Sequence, residues 1–211
     1  MAGPIPFEEI AASKVHLRGT VGNRITELES GDMKAEGDII EAISLDTLRI
    51  HDAFNSFLPS ASSSNDLGLY PGTFGTDGML VRTADLKNAG STTNYARFLC
   101  VVPPRYEAAS SFKIRFYTGM ETTVASSAAT IDLEAYRLDG EGGISADLCA
   151  TAAQSINSTS YANKDFTITS ATLSAGDVLD CRVTVVVNDS GTVNPVIGSI
   201  GRIQKVLTMR G

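Results

Sequence analysis

The run Val-Leu-Asp-Cys-Arg-Val-Thr-Val-Val-Val at residues 178–187 constrains the fold more than any other feature of the chain. Leu179, Cys181, Val183, Val185 and Val187 fall on one side of an extended backbone, with Asp180, Arg182 and Thr184 on the other. Strand side chains alternate faces at every residue, so this spacing describes a strand with one buried and one wetted face. The same period of two recurs at Ala96, Phe98, Cys100 and Val102, at Phe112, Ile114 and Phe116, and at Ile131, Leu133 and Ala135. It returns at Phe166 and Ile168, and a last strand is expected within residues 200–207. Two shorter strands are expected at 67–70 and 79–82. Half-buried strands repeated at short intervals, with glycine- and aspartate-rich joints, predict an antiparallel β-sandwich of jelly-roll type over residues 94–208. Its core is assigned to Phe98, Phe112, Ile114, Ile131, Leu133, Leu179, Val183 and Val185. Helix is expected to be minimal there, no more than a turn near 145–151.

The first sixty residues read differently. They hold ten acidic and five basic side chains, against fourteen and twelve in the remainder, so most of the net charge of −7 belongs to them. Residues before 38 show little periodicity, which predicts an extended arm. A helix is expected from Asp38 to Leu58. Asp38 and Glu41 resemble a capping box, and Pro59 stops the run. On a helical wheel Ile39, Ile43, Ile50, Phe54 and Phe57 form one stripe, with Leu45 and Leu48 opposite. Apolar residues on both sides imply that the helix is buried between two layers or is broken near Ser44, and that it packs on its own β domain or on a neighbouring subunit. These seven residues are therefore the candidate oligomer or shell interface. The expected organisation is an attachment arm and helix at 1–60, a loop-rich connector at 61–93 and the sandwich at 94–211. The polar run at residues 60–66 serves as linker.

The composition excludes several functions. No basic stripe suits nucleic acid. No run approaches the length of a membrane span, and the N-terminal residues lack the pattern of a secretory signal, so cytoplasmic assembly is expected. Cys100, Cys149 and Cys181 are an odd number without a close pair and are expected to be buried thiols. The two histidines, His16 and His51, stand outside the sandwich, and no Gly-x-Ser-x-Gly elbow, zinc spacing or phosphate loop occurs. His51 is expected on a helix surface. No catalytic residue, metal ligand or cofactor is assigned, and the chain is expected not to be an enzyme. Asp139-Gly-Glu-Gly-Gly143 could offer oxygens to a hard cation, but Asp-Gly between strands is ordinary turn chemistry. Asp132 and Glu134 share a strand face, as paired glycosidase carboxylates would, and as any solvated sheet face does. Ser174-Ala-Gly-Asp177 reads as a turn into the longest strand.

Two stretches carry a resemblance. One is Glu134-Ala-Tyr-Arg-Leu-Asp-Gly-Glu-Gly-Gly-Ile-Ser-Ala-Asp-Leu-Cys-Ala-Thr-Ala-Ala-Gln-Ser-Ile-Asn157. The other is Phe166-Thr-Ile-Thr followed by Leu173-Ser-Ala-Gly-Asp-Val-Leu-Asp-Cys-Arg-Val183. Together they resemble jelly-roll capsid decoration, or cement, proteins of tailed bacteriophages. The resemblance covers residues 95–210 and not the N-terminal third. It implies a virion component on the capsid exterior, assembled in the host cytoplasm as a homotrimer on a major capsid protein. The alternatives carried beside it are a tail, fibre or host-recognition module and a carbohydrate-binding jelly roll.

Overall fold

The computed structural model of the chain describes residues 17–18, 24–29, 32–104, 106–107, 110–169 and 172–209, with side chains between residues 37 and 208. Residues 1–16, and His16 with them, lie outside the described residues. Twelve strands follow in order. They are β1 (Leu17–Arg18), β2 (Arg24–Glu29), β3 (Asp32–Ile43), β4 (Gly68–Tyr70), β5 (Leu80–Arg82) and β6 (Gly90–Val101). Then come β7 (Ser111–Met120), β8 (Ala128–Arg137), β9 (Gln154–Ser155), β10 (Ala162–Ile168), β11 (Val178–Asp189) and β12 (Gly198–Met209). A 3-10 turn spans Leu45–Thr47.

The last eight strands pair as one long antiparallel ribbon rolled on itself. β5 pairs with β12, β6 with β11, β7 with β10, and β8 with β9. Rolling closes two further contacts, β12 with β7 and β11 with β8. The result is two sheets in the jelly-roll arrangement: four-stranded β6-β11-β8-β9 faces an eight-stranded sheet whose β5-β12-β7-β10 part is extended by β4 on β5 and by β3, β2 and β1 on β12. Successive strands mostly change sheet, so each alternating strand buries its apolar face against the other layer. All eight residues assigned to the core are at most 2% exposed. Phe116 and Phe166 meet edge to face inside it, their rings 5.7 Å apart.

The helix expected from Asp38 to Leu58 does not form, and the residues before it are not a free arm where they are described. β3 lies along β12, from Ile43 opposite Ile203 to Gly37 opposite Met209, and β2 adds outside it. The acids that looked like a helix cap have cross-strand partners instead. Asp38 accepts a hydrogen bond from Thr208 Oγ1 at 2.8 Å, and Glu41 pairs with Lys205 at 2.6 Å. The adjacent β-branched Ile39 and Ile40 suit a strand better than a helix. Ile39 and Ile43 pack on the core from one face of β3, whereas Ile40 points outward. Leu45, Leu48 and Leu58 enter the core itself. Residues 32–58 are thus built into the sandwich, and the expected turn at 145–151 is irregular chain with an isolated bridge from Cys149 to Ile168.

Two stability outcomes follow from this packing. Val183 lies between Ala96 and Leu133 across the strands, so Val183→Asp places a charge among apolar neighbours. It should cost about 4 kcal/mol or more and abolish cooperative folding, whereas Thr184→Asn on the outer face should stay within about 0.5 kcal/mol. Urea titration of both variants checks this. Deleting residues 1–60 should likewise prevent folding, because it removes β3 and three core leucines.

Candidate binding surfaces

The outer face of β6-β11-β8 carries a lattice of alternating charge. Arg97 stands opposite Arg182, and Arg182 opposite Glu134. Two guanidinium groups facing each other would repel, but each has its own carboxylate. Arg97 holds Asp180 through both carboxylate oxygens, with Nε donating to Oδ1 at 2.6 Å. Arg182 Nε donates to Glu134 Oε2 at 2.6 Å, and the Tyr136 hydroxyl donates to Glu134 Oε1 at 3.4 Å. The bidentate bond to Asp180 pushes the Arg97 pKa further up. These groups and His51 line a shallow groove of about 250 Å³. Two aromatic rings beside it, Tyr95 and Phe54, already have cationic or ring neighbours. On Tyr95 the Arg182 guanidinium sits 5.0 Å from the ring centre, and the His51 ring lies at 4.6 Å. Arg97 lies 4.8 Å from the Phe54 ring centre.

A second groove, of about 440 Å³, opens where the two sheets meet at their edges. Ile43, Arg49, Phe54, Leu99, Val101 and Lys205 line it. Its geometry follows from how the β6 edge is covered. Tyr95 exchanges backbone hydrogen bonds with Asn65 and Leu67, and Arg97 does the same with Arg49, all at 2.8–2.9 Å. Among the described residues this cover ends beyond Arg97, and Leu99 and Val101 are 45% and 47% exposed. Lys205 Nζ reaches the Val101 carbonyl at 3.4 Å.

The structure separates the seven residues expected to form one interface. Leu45 and Leu48 are core residues, Ile39 and Ile43 pack on the core, and Ile50 is half-buried. Phe54 lines the second groove, and Phe57 is 63% exposed under the Arg49 guanidinium, 3.7 Å from its ring centre. His51 is on a loop rather than a helix, with Nδ1 3.3 Å from Asp66 Oδ1. Sequence reasoning missed Arg97 and the β6 edge, and the outward charges Asp180, Arg182 and Glu134 were their only signal. The Asp139 loop is a turn: its Oδ1 accepts the N–H groups of Glu141 and Gly143 at 2.8 Å each. Asp132 and Glu134 are both on the outer, solvent-facing side of β8, and Glu134 is engaged by Arg182. In the Ser174–Asp177 turn, Gly176 takes a φ of +86°, and Asp177 Oδ2 accepts the Ser174 N–H at 2.8 Å.

The fold and these surfaces define a jelly-roll β-sandwich with a charged groove on one sheet and an apolar groove at its edge. No family model matches the chain, and no curated protein matches its sequence. Among solved structures it is similar to the xylan-binding module CBM15, at 13% identity over 83% of this chain and 100% of that one, with a TM-score of 0.43. It is also similar to the CBM22-1 xylan-binding domain of Paenibacillus barcinonensis Xyn10C, at 11% identity over 69% and 83% of the two chains, with a TM-score of 0.39. A third likeness is to the structure of infectious bursal disease virus Gx strain, at 10% identity over 88% of this chain and 37% of that one, with a TM-score of 0.37.

The cysteines are all free, Cys100 and Cys181 buried and Cys149 half-buried. Burial pushes the Cys100 thiol up to about 12, Cys149 to about 11 and Cys181 well above its ordinary value. Since the thiolate is the reactive form, alkylation at pH 8 should be negligible in the native chain and should reach all three thiols in denaturant, as mass spectrometry would show. Hydrogen bonds from Arg115 hold Asp165 below its ordinary range, and Asp189 is held low by the Thr192 hydroxyl and nearby backbone N–H groups. Carboxylates depressed by folding contribute stability above their unfolded pKa of about 4, and lose it as pH falls through the folded value. Glu121, raised by burial, runs the other way and softens the effect. Thermal midpoints should be level from about pH 5 to 8 and fall below about pH 4, less steeply in Asp165→Asn.

Proposed function

We propose that the chain is a non-enzymatic virion structural protein, a capsid decoration or cement protein that stabilises a shell of major capsid protein. The observation that carries this reading is the uncovered end of β6. Leu99 and Val101 present apolar side chains there, beside Phe54 and the edge groove. An exposed strand edge flanked by apolar residues is a template for pairing with another chain, and soluble monomers ordinarily block it. A rigid jelly roll with such an edge suits attachment to a larger surface. The attachment face in this reading combines Phe54 and Phe57 from the N-terminal part with Leu99 and Val101 from the sandwich. The resemblance of residues 95–210 to phage cement proteins supports the same reading, with the capsid exterior as location and a homotrimer as the working form.

A second reading, a carbohydrate-binding jelly roll, is favoured by the charged groove, where Arg97, Glu134, Asp180 and Arg182 are fixed by one another and Tyr136 lines the wall. Fixed polar groups beside an aromatic ring suit sugar hydroxyls. The Tyr95 face that would serve as a stacking platform is occupied by Arg182 and His51, which weighs against it.

Two measurements separate the readings. Electron microscopy of intact particles should place the wild-type chain on the shell. Leu99→Asp with Val101→Asp, both on exposed positions, should keep the fold and lower particle occupancy at least about tenfold, or about 1.4 kcal/mol. Absence of the chain from particles, with saturable binding to xylan or another soluble glycan that Arg182→Ala removes, would replace the first reading by the second.

A further inference from the structure

We infer that His51, Asp52 and Asp66 form a binding site for one divalent transition-metal ion of the zinc class. This inference is independent of both functional readings. The three side chains come from two segments, and their donor atoms all lie within 4.8 Å of one another. Two ligands of a tetrahedral ion with bonds near 2.0–2.1 Å sit about 3.4 Å apart. His51 Nδ1 and Asp66 Oδ1 are 3.3 Å apart. The pair makes a long direct hydrogen bond, and the same spacing is one that a shared ion could bridge.

The burial of Asp66 is a separate observation. The residue is 8% exposed, and its carboxylate faces His51 and, among the described residues, no lysine or arginine. Buried carboxylates ordinarily have a cation, either a side chain or a metal. Its backbone is fixed: the Asp66 N–H donates to the Ser63 carbonyl at 2.8 Å, and its carbonyl accepts from Ser62 Oγ at 2.6 Å. His51 is fixed as well. Its ring lies against Tyr95, and its Nε2 is 3.5 Å from Asn65 Nδ2, with Nδ1 on the side of Asp66. Asp52 is exposed and closes the site from the solvent side, leaving the remaining coordination to water.

An imidazole nitrogen with two carboxylates suits zinc or its first-row neighbours, whereas an all-oxygen set would suit calcium. The two segments that carry the donors also supply the backbone cover of β6 at Tyr95 and Arg97. A bound ion therefore joins the two pieces of chain that close this sheet edge. His51 and Asp66 are fifteen residues apart in sequence, which is why no metal spacing is visible there.

Isothermal titration of the chelator-stripped chain with zinc chloride tests the site. One ion should bind per chain with micromolar or tighter affinity and raise the thermal midpoint. Asp52→Asn, at an exposed position, should weaken binding at least about tenfold, and Asp66→Asn should abolish it. Circular dichroism of the metal-free variants verifies that each is folded, and if Asp66→Asn is not, Asp52→Asn and His51→Ala decide. Asp139→Asn, on a separate turn, should bind as wild type. Absence of saturable binding at millimolar zinc overturns the proposal, as does unchanged affinity in Asp52→Asn and His51→Ala. Binding of calcium with zinc excluded overturns the assigned class of ion.

Discussion

The pairing of β12 is the constraint on which the rest of the structure depends. On one side it runs along β7 through nearly its whole length. On the other it serves β5 first and β3 afterwards. The change falls at a bulge between Ile200 and Arg202, where the register with β7 slips by one residue. Because side chains alternate along a strand, one extra residue exchanges the two faces. Ile200 is buried before the bulge, and Ile203 and Leu207 are buried after it, on opposite parities. Arg202 is thereby turned outward, 5.1 Å from the Tyr117 ring centre. Without the slip, either Ile200 or the Ile203–Leu207 pair would face water.

That slip also explains what the sequence could and could not disclose. Strands with an uninterrupted period of two, such as β8 and β11, are legible because each residue reports its face without reference to a partner. β12 is legible only in outline, since its pattern changes phase inside the element. β3 was read as a helix because Asp38, Glu41 and the spacing of Ile39 and Ile43 satisfy local helix rules. Its true partner, β12, lies more than 150 residues away in the chain, and local patterns carry no record of it. Propensity is a weak prior, and an available sheet edge with matching charges overrides it. The charge lattice on the outer face was half legible: Asp180 and Arg182 were placed on the wetted side, but their partners depend on strand register.

The two sheet faces and the edge then divide the surface by physical character. On the outer face of β6-β11-β8 each guanidinium already has a carboxylate, so that face is largely satisfied by itself. Ion pairs of this kind, partly open to solvent, add at most about 1 kcal/mol each, and their stronger effect is to discourage a wrong register. The edge groove is the reverse case. Its side chains are apolar, and the backbone of β6 beyond Arg97 lacks the cover that Arg49, Asn65 and Leu67 give the residues before it.

A monomeric sheet protein ordinarily masks such an edge with charge, proline or a covering loop. This chain does so over part of β6 and then stops, although the loop that covers Tyr95 and Arg97 lies directly beside the open segment. Lys205 reaches toward the Val101 carbonyl, but it is itself engaged by Glu41 and leaves the Leu99 side chain exposed. Partial cover fixes where pairing can begin: a strand from another chain entering the groove meets Arg49 at one end and is confined to the Leu99–Val101 stretch. A short, bounded edge limits open-ended aggregation, and in the proposed attachment role it would confine the partner to one contact.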